Sequence, residues 1–332
     1  MDKRLLSGVR ATGGLHLGNY LGAIRQWVES QDSNECFYFI ADLHGLTDLQ
    51  ANHDASAFVE ARLRTAATYL AAGVNPNKAT LFFQSTIPQH TELMWYLATV
   101  ARKGELERMT QWKDKVGIDS AGASASLFMY PILMASDILL YDTQEVPVGD
   151  DQRQHVEVAR DWAERFNSYF GRTLVVPKAL VPTAAARIMD LQGPSKKMSK
   201  SGNLGQGTLF LNDSPDRLRS KIKRAVTDGD HEIRRSRAKP GITNLIEIYG
   251  ALTQRSGADV EIDFRGRSYG ELKDVVADAV IETIEPIRSR TAEFLADRAE
   301  LARILRAGAE KAVDVAEATC SRVRSALGLT TL

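Results

Sequence analysis

The sequence predicts an α/β fold: a parallel sheet flanked by helices, followed by a helical C-terminal region. Short apolar runs alternate with amphipathic stretches through the first half of the chain, the pattern of strands joined by crossover helices. After about residue 213 strand signals give way to long helical stretches. Taken in order, Leu5 to Val9, Cys36 to Ala41 and Ala79 to Gln84 read as buried strands. Leu17 to Glu29 and Ala55 to Ala72 carry apolar residues at helical spacing, and Gly73 with Pro76 stops the second. Leu174 to Val176 and Leu209 to Leu211 offer further strands, and Tyr269 to Ile287 and Thr291 to Leu327 read as long helices. The boundary between sheet and helical region is placed at residues 180–215, with no internal repeat or low-complexity segment.

Composition narrows the class. The 332 residues include 42 Lys or Arg and 42 Asp or Glu, and 44% are hydrophobic, enough for a core and too many for a disordered tail protein. That length predicts one large domain and a smaller one, at roughly 150 residues per domain. Met1 to Ser7 has only Leu5 and Leu6 behind its basic residues, unlike a signal peptide, and no run approaches the roughly 18 apolar residues of a membrane span. Cys36 and Cys320 are far apart with no Cys/His cluster, which argues against a disulfide scaffold or a zinc site and for a reducing, cytoplasmic compartment. Zero net charge hides a local imbalance. Arg217 to Lys239 carries nine bases against three acids, and Gly257 to Pro286 carries eight acids against three bases. A polyanion should prefer the first stretch; the alternative is a solvated helical face.

Two segments carry chemistry. In Gly8-Val9-Arg10-Ala11-Thr12-Gly13-Gly14-Leu15-His16-Leu17-Gly18-Asn19 a strand runs into glycines and a helix begins near Leu17. Backbone amides and the positive helix end then face one point beyond the sheet, which suits an anion, and His16 and Asn19 point toward it. Glycine is also used for tight packing alone, and the segment lacks the spacing of a dinucleotide site or a P-loop. In Lys196-Lys197-Met198-Ser199-Lys200-Ser201-Gly202, lysines crowd a loop, where they repel unless something negative lies among them. A triphosphate is one such partner; a plain exposed basic loop is the other reading.

His16-Leu17-Gly18-Asn19 resembles the HIGH signature, and Lys197-Met198-Ser199-Lys200-Ser201 matches the KMSKS signature, of class I aminoacyl-tRNA synthetases. A fixed five-residue string arises by chance on the order of once in ten thousand chains of this length. The resemblance implies a Rossmann-like, doubly wound parallel sheet carrying both signatures, with 1–190 as the catalytic domain, 191–212 as the KMSKS loop and return to it, and 213–332 as a helical tRNA (anticodon) binding region. It also implies ATP as substrate, Mg²⁺ held mainly by its phosphates rather than by a dedicated protein site, a tRNA partner and a homodimer. Asn19 in place of the final His resembles bacterial tryptophanyl enzymes, whereas His16 stands where many of those carry Thr, and Arg10 and Ala11 stand where Gln and Pro are usual. Arg10 therefore either touches phosphate or the substrate carboxylate, or faces solvent. By position, the resemblance assigns Arg10, Ala11, Thr12, His16, Gly18, Asn19, Ile188, Lys197, Met198, Ser199, Lys200 and Ser201 to ATP.

The amino acid is read from Tyr130 to Tyr141. As a helix, this segment puts Tyr130, Met134, Asp137 and Tyr141 on one face, a carboxylate in an aromatic and thioether stripe. A buried Asp needs a donor; an indole N–H supplies one, and so does a neighbouring Tyr or Arg in a purely structural role. In tyrosyl enzymes the corresponding helix resembles Tyr-x-x-x-Gln-x-x-Asp; here that Gln is Met134, which suits tryptophan. The segment Gly104 to Lys115 resembles a tryptophanyl stretch that implies Gln111 and Lys115 near substrate and ATP phosphates. Val146 to Gln152 resembles its ribose and ammonium loop, implying Gly149, Asp150 and Asp151 for ATP, and Val146, Val148 and Gln152 for tryptophan. Asp42-Leu43-His44 resembles the strand end whose His lines the pocket. The expected activity is ATP-dependent activation of L-tryptophan and its transfer to tRNA(Trp), with Lys115, Lys197 and Lys200 stabilising charge. The rivals are a tyrosyl enzyme, disfavoured by Met134, and a non-catalytic tryptophan or RNA sensor, which needs no lysine loop.

Overall fold

The computed structural model describes residues 3–11, 14–47, 54–110, 112–113, 123–149, 153–180, 188–199 and 205–329. Five parallel strands, β1 (Arg4–Arg10), β2 (Glu35–Ala41), β3 (Ala79–Phe83), β4 (Glu145–Pro147) and β5 (Lys178–Leu180), form one sheet in the order β3-β2-β1-β4-β5. The chain steps outward from β1 to β3 and then returns to the other side of β1, so the order reverses between β1 and β4. Ligands of such sheets bind beyond the C-terminal strand ends at that reversal. β1 pairs with β2 along its whole length but meets β4 only at Leu5 and Glu145, which leaves its C-terminal half open on that side.

Alternation along the strands sends Leu5, Cys36, Tyr38 and Ile40 into one core and Leu6, Phe37 and Phe39 into the other. Both faces are therefore buried, which is why the strands read as unbroken apolar runs. The first core is closed by α1 (Leu17–Asn19), a π-helical turn Tyr20–Ile24, α2 (Arg25–Ser30) and α4 (Ala55–Ala71), which Gly73 ends at φ 111°. The second is closed by α5 (Gln89–Ala98), α7 (Ala125–Leu140) and α8 (Arg153–Phe170). Two short helices, α3 (Asp42–Gly45) and α6 (Lys103–Glu107), lie between. The C-terminal part comprises α9 (Pro215–Lys223), α10 (Pro240–Thr253), α11 (Gly257–Asp263), α12 (Tyr269–Ala296) and α13 (Arg298–Ala326). No helix among the described residues is long and apolar enough to cross a membrane.

The structure departs from the sequence reading in five places. The strand expected at Leu174 to Val176 lies at Lys178–Leu180, because the Asn167 side chain takes the backbone groups of Thr173 and Leu174 and Leu174 packs into the core. β4 has three residues, too few to show periodicity. Leu209 to Leu211 does not join the sheet: it makes a short antiparallel pairing with Leu15 to Leu17. The helix expected to end at Ile287 continues through Pro286 to Ala296, and the break falls at Asp297, whose side chain caps the next helix at Glu300 N–H. Finally, the helical region is not set apart. α12 packs on α4 within the first core, and α13 runs back along β3 in the second, so close that a Cβ on Gly308 would lie 1.9 Å from the Leu81 carbonyl.

The charge reading also changes. Arg219 pairs with Asp278, Lys223 with Asp274 and Arg235 with Glu261, joining the basic stretch to the acidic one. Arg217, Lys221, Arg234 and Lys239 have carboxylate partners as well. Seven of the nine bases are thus locally neutralised, and net charge by itself no longer marks the stretch as a polyanion surface.

Candidate active site

The strand-to-helix turn after β1 is built around His16. Its Nδ1 accepts from Asn19 N–H at 3.3 Å, while Asn19 Oδ1 accepts from His16 N–H at 3.1 Å. This reciprocal cap fixes both side chains at the start of α1. Gly18 follows, and a Cβ there would come within 3.1 Å of the His16 ring and 3.9 Å of Ile188 Cβ. Its bare backbone thus lies between the imidazole and Ile188, leaving a flat surface at the helix start.

Ile188 belongs to a hairpin that carries the lysine loop. Ile188 C=O accepts from Met198 N–H at 3.0 Å, and Asp190 N–H donates to Lys196 C=O at 2.9 Å. Asp190 Oδ1 caps the turn at Gln192 and Gly193. Lys197 and Ser199 face solvent, whereas Met198 turns into the core. Ser199 C=O accepts from Thr208 Oγ1 at 2.8 Å, and the chain then pairs with the other signature: Leu17 N–H to Leu209 C=O and Leu211 N–H to Leu15 C=O, both 2.8 Å. Lys221 on α9, almost wholly buried, donates to Thr208 C=O and Asp213 Oδ2 at 2.6 Å each. The two signatures are therefore one connected piece of backbone. Ala11 is fully buried, packed into the first core.

The second half of the site centres on Asp137. Tyr130, Met134 and Asp137 lie on α7, with Tyr141 at its C-cap. Asp137 is 2% exposed; its Oδ1 accepts from Gln84 Nε2 and His90 Nδ1, both at 2.7 Å, and its Oδ2 from His44 Nε2 at 2.8 Å. Burial by itself would raise this carboxyl, but His44 and His90 outweigh it and hold it below its ordinary value, ionised. His44 is carried on α3 directly after β2, and Gln84 Oε1 accepts from Leu43 and His44 N–H, tying the ends of β2 and β3 together. Asp42 anchors the same turn: its Oδ2 pairs with Arg62 Nε at 2.8 Å and accepts from Ser85 Oγ at 2.6 Å.

Tyr130 packs edge-on against the His44 ring and bonds His155 Nε2 at 2.8 Å. Burial pushes its phenol up to about 12, against the opposing pull of the Arg10 guanidinium. Met134 and Val148 are half-buried, Val146 is buried on β4, and Gly149 is exposed just beyond it. Thr12, Gln111, Lys115, Asp150, Asp151, Gln152, Lys200 and Ser201 lie outside the described residues. Gln84, His90, Asp42, Arg62 and Lys221 were not read from the sequence as site residues. A Gln ending an apolar strand and a His opening a helix have no distinguishing pattern until the fold brings them to Asp137.

Residues 2–285 match the family model of class I tRNA synthetases for tryptophan and tyrosine. The chain is 50% identical to the tryptophan–tRNA ligase of Leifsonia xyli subsp. xyli over 328 residues, which covers 98% of this chain and 96% of that protein. It resembles the crystal structure of tryptophanyl-tRNA synthetase from Mycoplasma pneumoniae at a TM-score of 0.90 and 35% identity, covering 99% of this chain and 98% of the other. The Campylobacter jejuni enzyme complexed with ADP and tryptophan matches at a TM-score of 0.83 and 35% identity, over 98% and 100% of the two chains.

Proposed function

The chain belongs to the class I tRNA synthetases for tryptophan and tyrosine, and on that premise we propose that it ligates L-tryptophan to tRNA(Trp). A carboxylate oxygen of tryptophan attacks the α-phosphorus of ATP and pyrophosphate leaves. The terminal ribose hydroxyl of the tRNA then attacks the acyl carbon and AMP leaves. The nucleophile is already anionic, so the site needs placement and positive charge rather than a general base.

The observation that carries the tryptophan assignment is Asp137: an ionised carboxylate, sealed among donors, on the same helix face as Met134. It suits an indole N–H, while Tyr130, Met134, Val146, Val148 and His44 line the rings and Gln152 holds the ammonium group. A phenol would leave this apolar face without the polar partner that Met134 replaces. His16, Gly18 and Asn19, with the backbone of Arg10 to Thr12, Gln111 and Gly149 to Asp151, hold ATP. The adenine lies against Gly18 and Ile188, and the 197–201 loop covers the phosphates. Lys115, Lys197 and Lys200 stabilise the charge that builds there. Mg²⁺ comes with the phosphates: Asp137 and Asp42 are committed to cationic or hydrogen-bonding partners, so neither is a ligand in waiting. The tRNA lies across the helical C-terminal region, and the assembly is a homodimer, checked by sedimentation equilibrium.

Amino-acid-dependent exchange of pyrophosphate into ATP, without tRNA, tests the reading. Exchange with tryptophan and neither tyrosine nor phenylalanine is expected. Exchange with tyrosine overturns the pocket assignment, and no exchange with any of the three overturns the enzyme.

A further inference from the structure

His90 lies behind the pocket and takes no part in the reaction described above. It is fully buried at the first turn of α5 and is held at every polar atom the ring and backbone carbonyl present. Its Nδ1 lies 2.7 Å from Asp137 Oδ1, its Nε2 lies 2.9 Å from the Tyr141 hydroxyl, and its carbonyl accepts from Ser136 Oγ at 2.7 Å. The ring is wedged among Phe39, Phe82 and Tyr141, with centroids 6.0, 6.3 and 5.5 Å away. In the tautomer whose Nδ1 carries the proton, Nε2 accepts from Tyr141 O–H, and both ring nitrogens of His90 are satisfied.

A carboxylate oxygen has two acceptor positions. Both on Asp137 Oδ1 are filled, by Gln84 and His90; on Oδ2 one is filled by His44 and, among the described residues, one is left. We propose that His90 is a positioning residue that pins Asp137 so that a single acceptor position faces the pocket, and thereby sets the preference for a substrate ring bearing an N–H. The inference rests on the tryptophan reading above. A pinned oxygen penalises a ring with nothing to donate, because the unpaired acceptor cannot turn to another partner. Without His90, Oδ1 regains an open position, the carboxylate turns about its own bond, and the penalty relaxes.

The test uses the full-length chain and compares tryptophan with β-(3-benzothienyl)alanine, in which sulfur replaces the ring N–H at nearly equal size. Pyrophosphate exchange is measured for the native chain, His90→Leu, His90→Asn and Tyr141→Phe. His90→Leu fills the space without a donor and should cut the tryptophan-to-analogue ratio of kcat/KM by about tenfold or more, mainly through KM for tryptophan. His90→Asn keeps an N–H near the place of Nδ1 and should restore most of the ratio. Tyr141→Phe deletes one oxygen and should lower the ratio by about threefold, and it decides the matter should His90→Leu not fold. Equal losses for both substrates, or an unchanged ratio in the folded variants, would reduce His90 to a packing residue and overturn the proposal. Failure of the native chain to use tryptophan at all would overturn the underlying reading instead.

Discussion

Lys221→Met tests whether the two signature segments are held as one piece. Lys221 is 3% exposed, bonds Thr208 C=O and Asp213 Oδ2 at 2.6 Å, and passes 4.9 Å from the Phe210 ring centroid. Methionine keeps the stem and removes the charge. Breaking a buried ion pair costs about 3 to 5 kcal/mol, because the remaining charge is stranded. Here Asp213 keeps Phe210 N–H at 3.0 Å and an exposed Arg217 at 3.0 Å, which puts the loss at the low end, about 3 kcal/mol in urea denaturation. Burial pulls the Lys221 ammonium below its ordinary value even with Asp213 beside it, so desolvation is not fully offset in the native pair. Adding Asp213→Asn, which still accepts from Phe210 N–H, should therefore recover about 2 kcal/mol. Because residues 209–211 pair with 15–17, the single variant should also lose at least about tenfold in kcat for pyrophosphate exchange, with KM for tryptophan unchanged. A loss below about 1 kcal/mol, or a double variant no more stable than the single, would refute the reasoning.

Three further outcomes follow from the geometry. Gly308→Ala drives a Cβ to 1.9 Å from the Leu81 carbonyl and should destabilise the chain by about 3 kcal/mol; an unchanged melting temperature would mean α13 is not seated on β3. Arg165, working against burial and helped by Trp162 N–H and Arg102 N–H, holds the Glu105 carboxyl down at about 2 from an ordinary 4.5. A depressed folded value means the stabilisation is complete above about pH 5 and lost as pH falls toward 2; it amounts to about 3 kcal/mol, and Glu105→Gln should flatten acid denaturation over that range. The double variant Lys197→Ala, Lys200→Ala should lose at least about a hundredfold in exchange kcat with little change in melting temperature, and retained activity would remove both lysines from the chemistry.

What was legible in the sequence was local. β1 and β2 were readable because they are buried on both faces, and α4 because Gly73 and Pro76 mark its end. The signature strings are contiguous, so they name the class before any fold is known. The strand at Lys178–Leu180 escaped because Leu174, more apolar, is core filler whose backbone bonds Asn167 rather than a neighbouring strand. The cross-pairing of basic and acidic stretches escaped because charge counts along a chain say nothing of which helices face each other; Arg219 and Asp278 are 59 residues apart. Asp137 was found through helical spacing, but its donors come from α3, the end of β3 and α5. No window of sequence contains all four.

The divided origin of the site has a consequence for how it works. Leu15, Leu17, Ile188, Met198, Leu209 and Ile222 belong to the first core, so the backbone of the two signature segments is anchored on one face of the sheet. Phe39, Phe82, Ile138, Tyr141 and Val146 belong to the second, so the surroundings of Asp137 are anchored on the other. Among the described residues, both approach the C-terminal ends of β1 and β2, where Arg10 leaves one strand and Asp42 begins the turn after the other. The lysine hairpin is tied through Thr208 and Leu209 to the turn that carries His16, whereas Asp137 is held by His44, Gln84 and His90. On the function proposed above, the segments that would hold ATP and the carboxylate that would read the amino acid are thus anchored on opposite faces of the sheet.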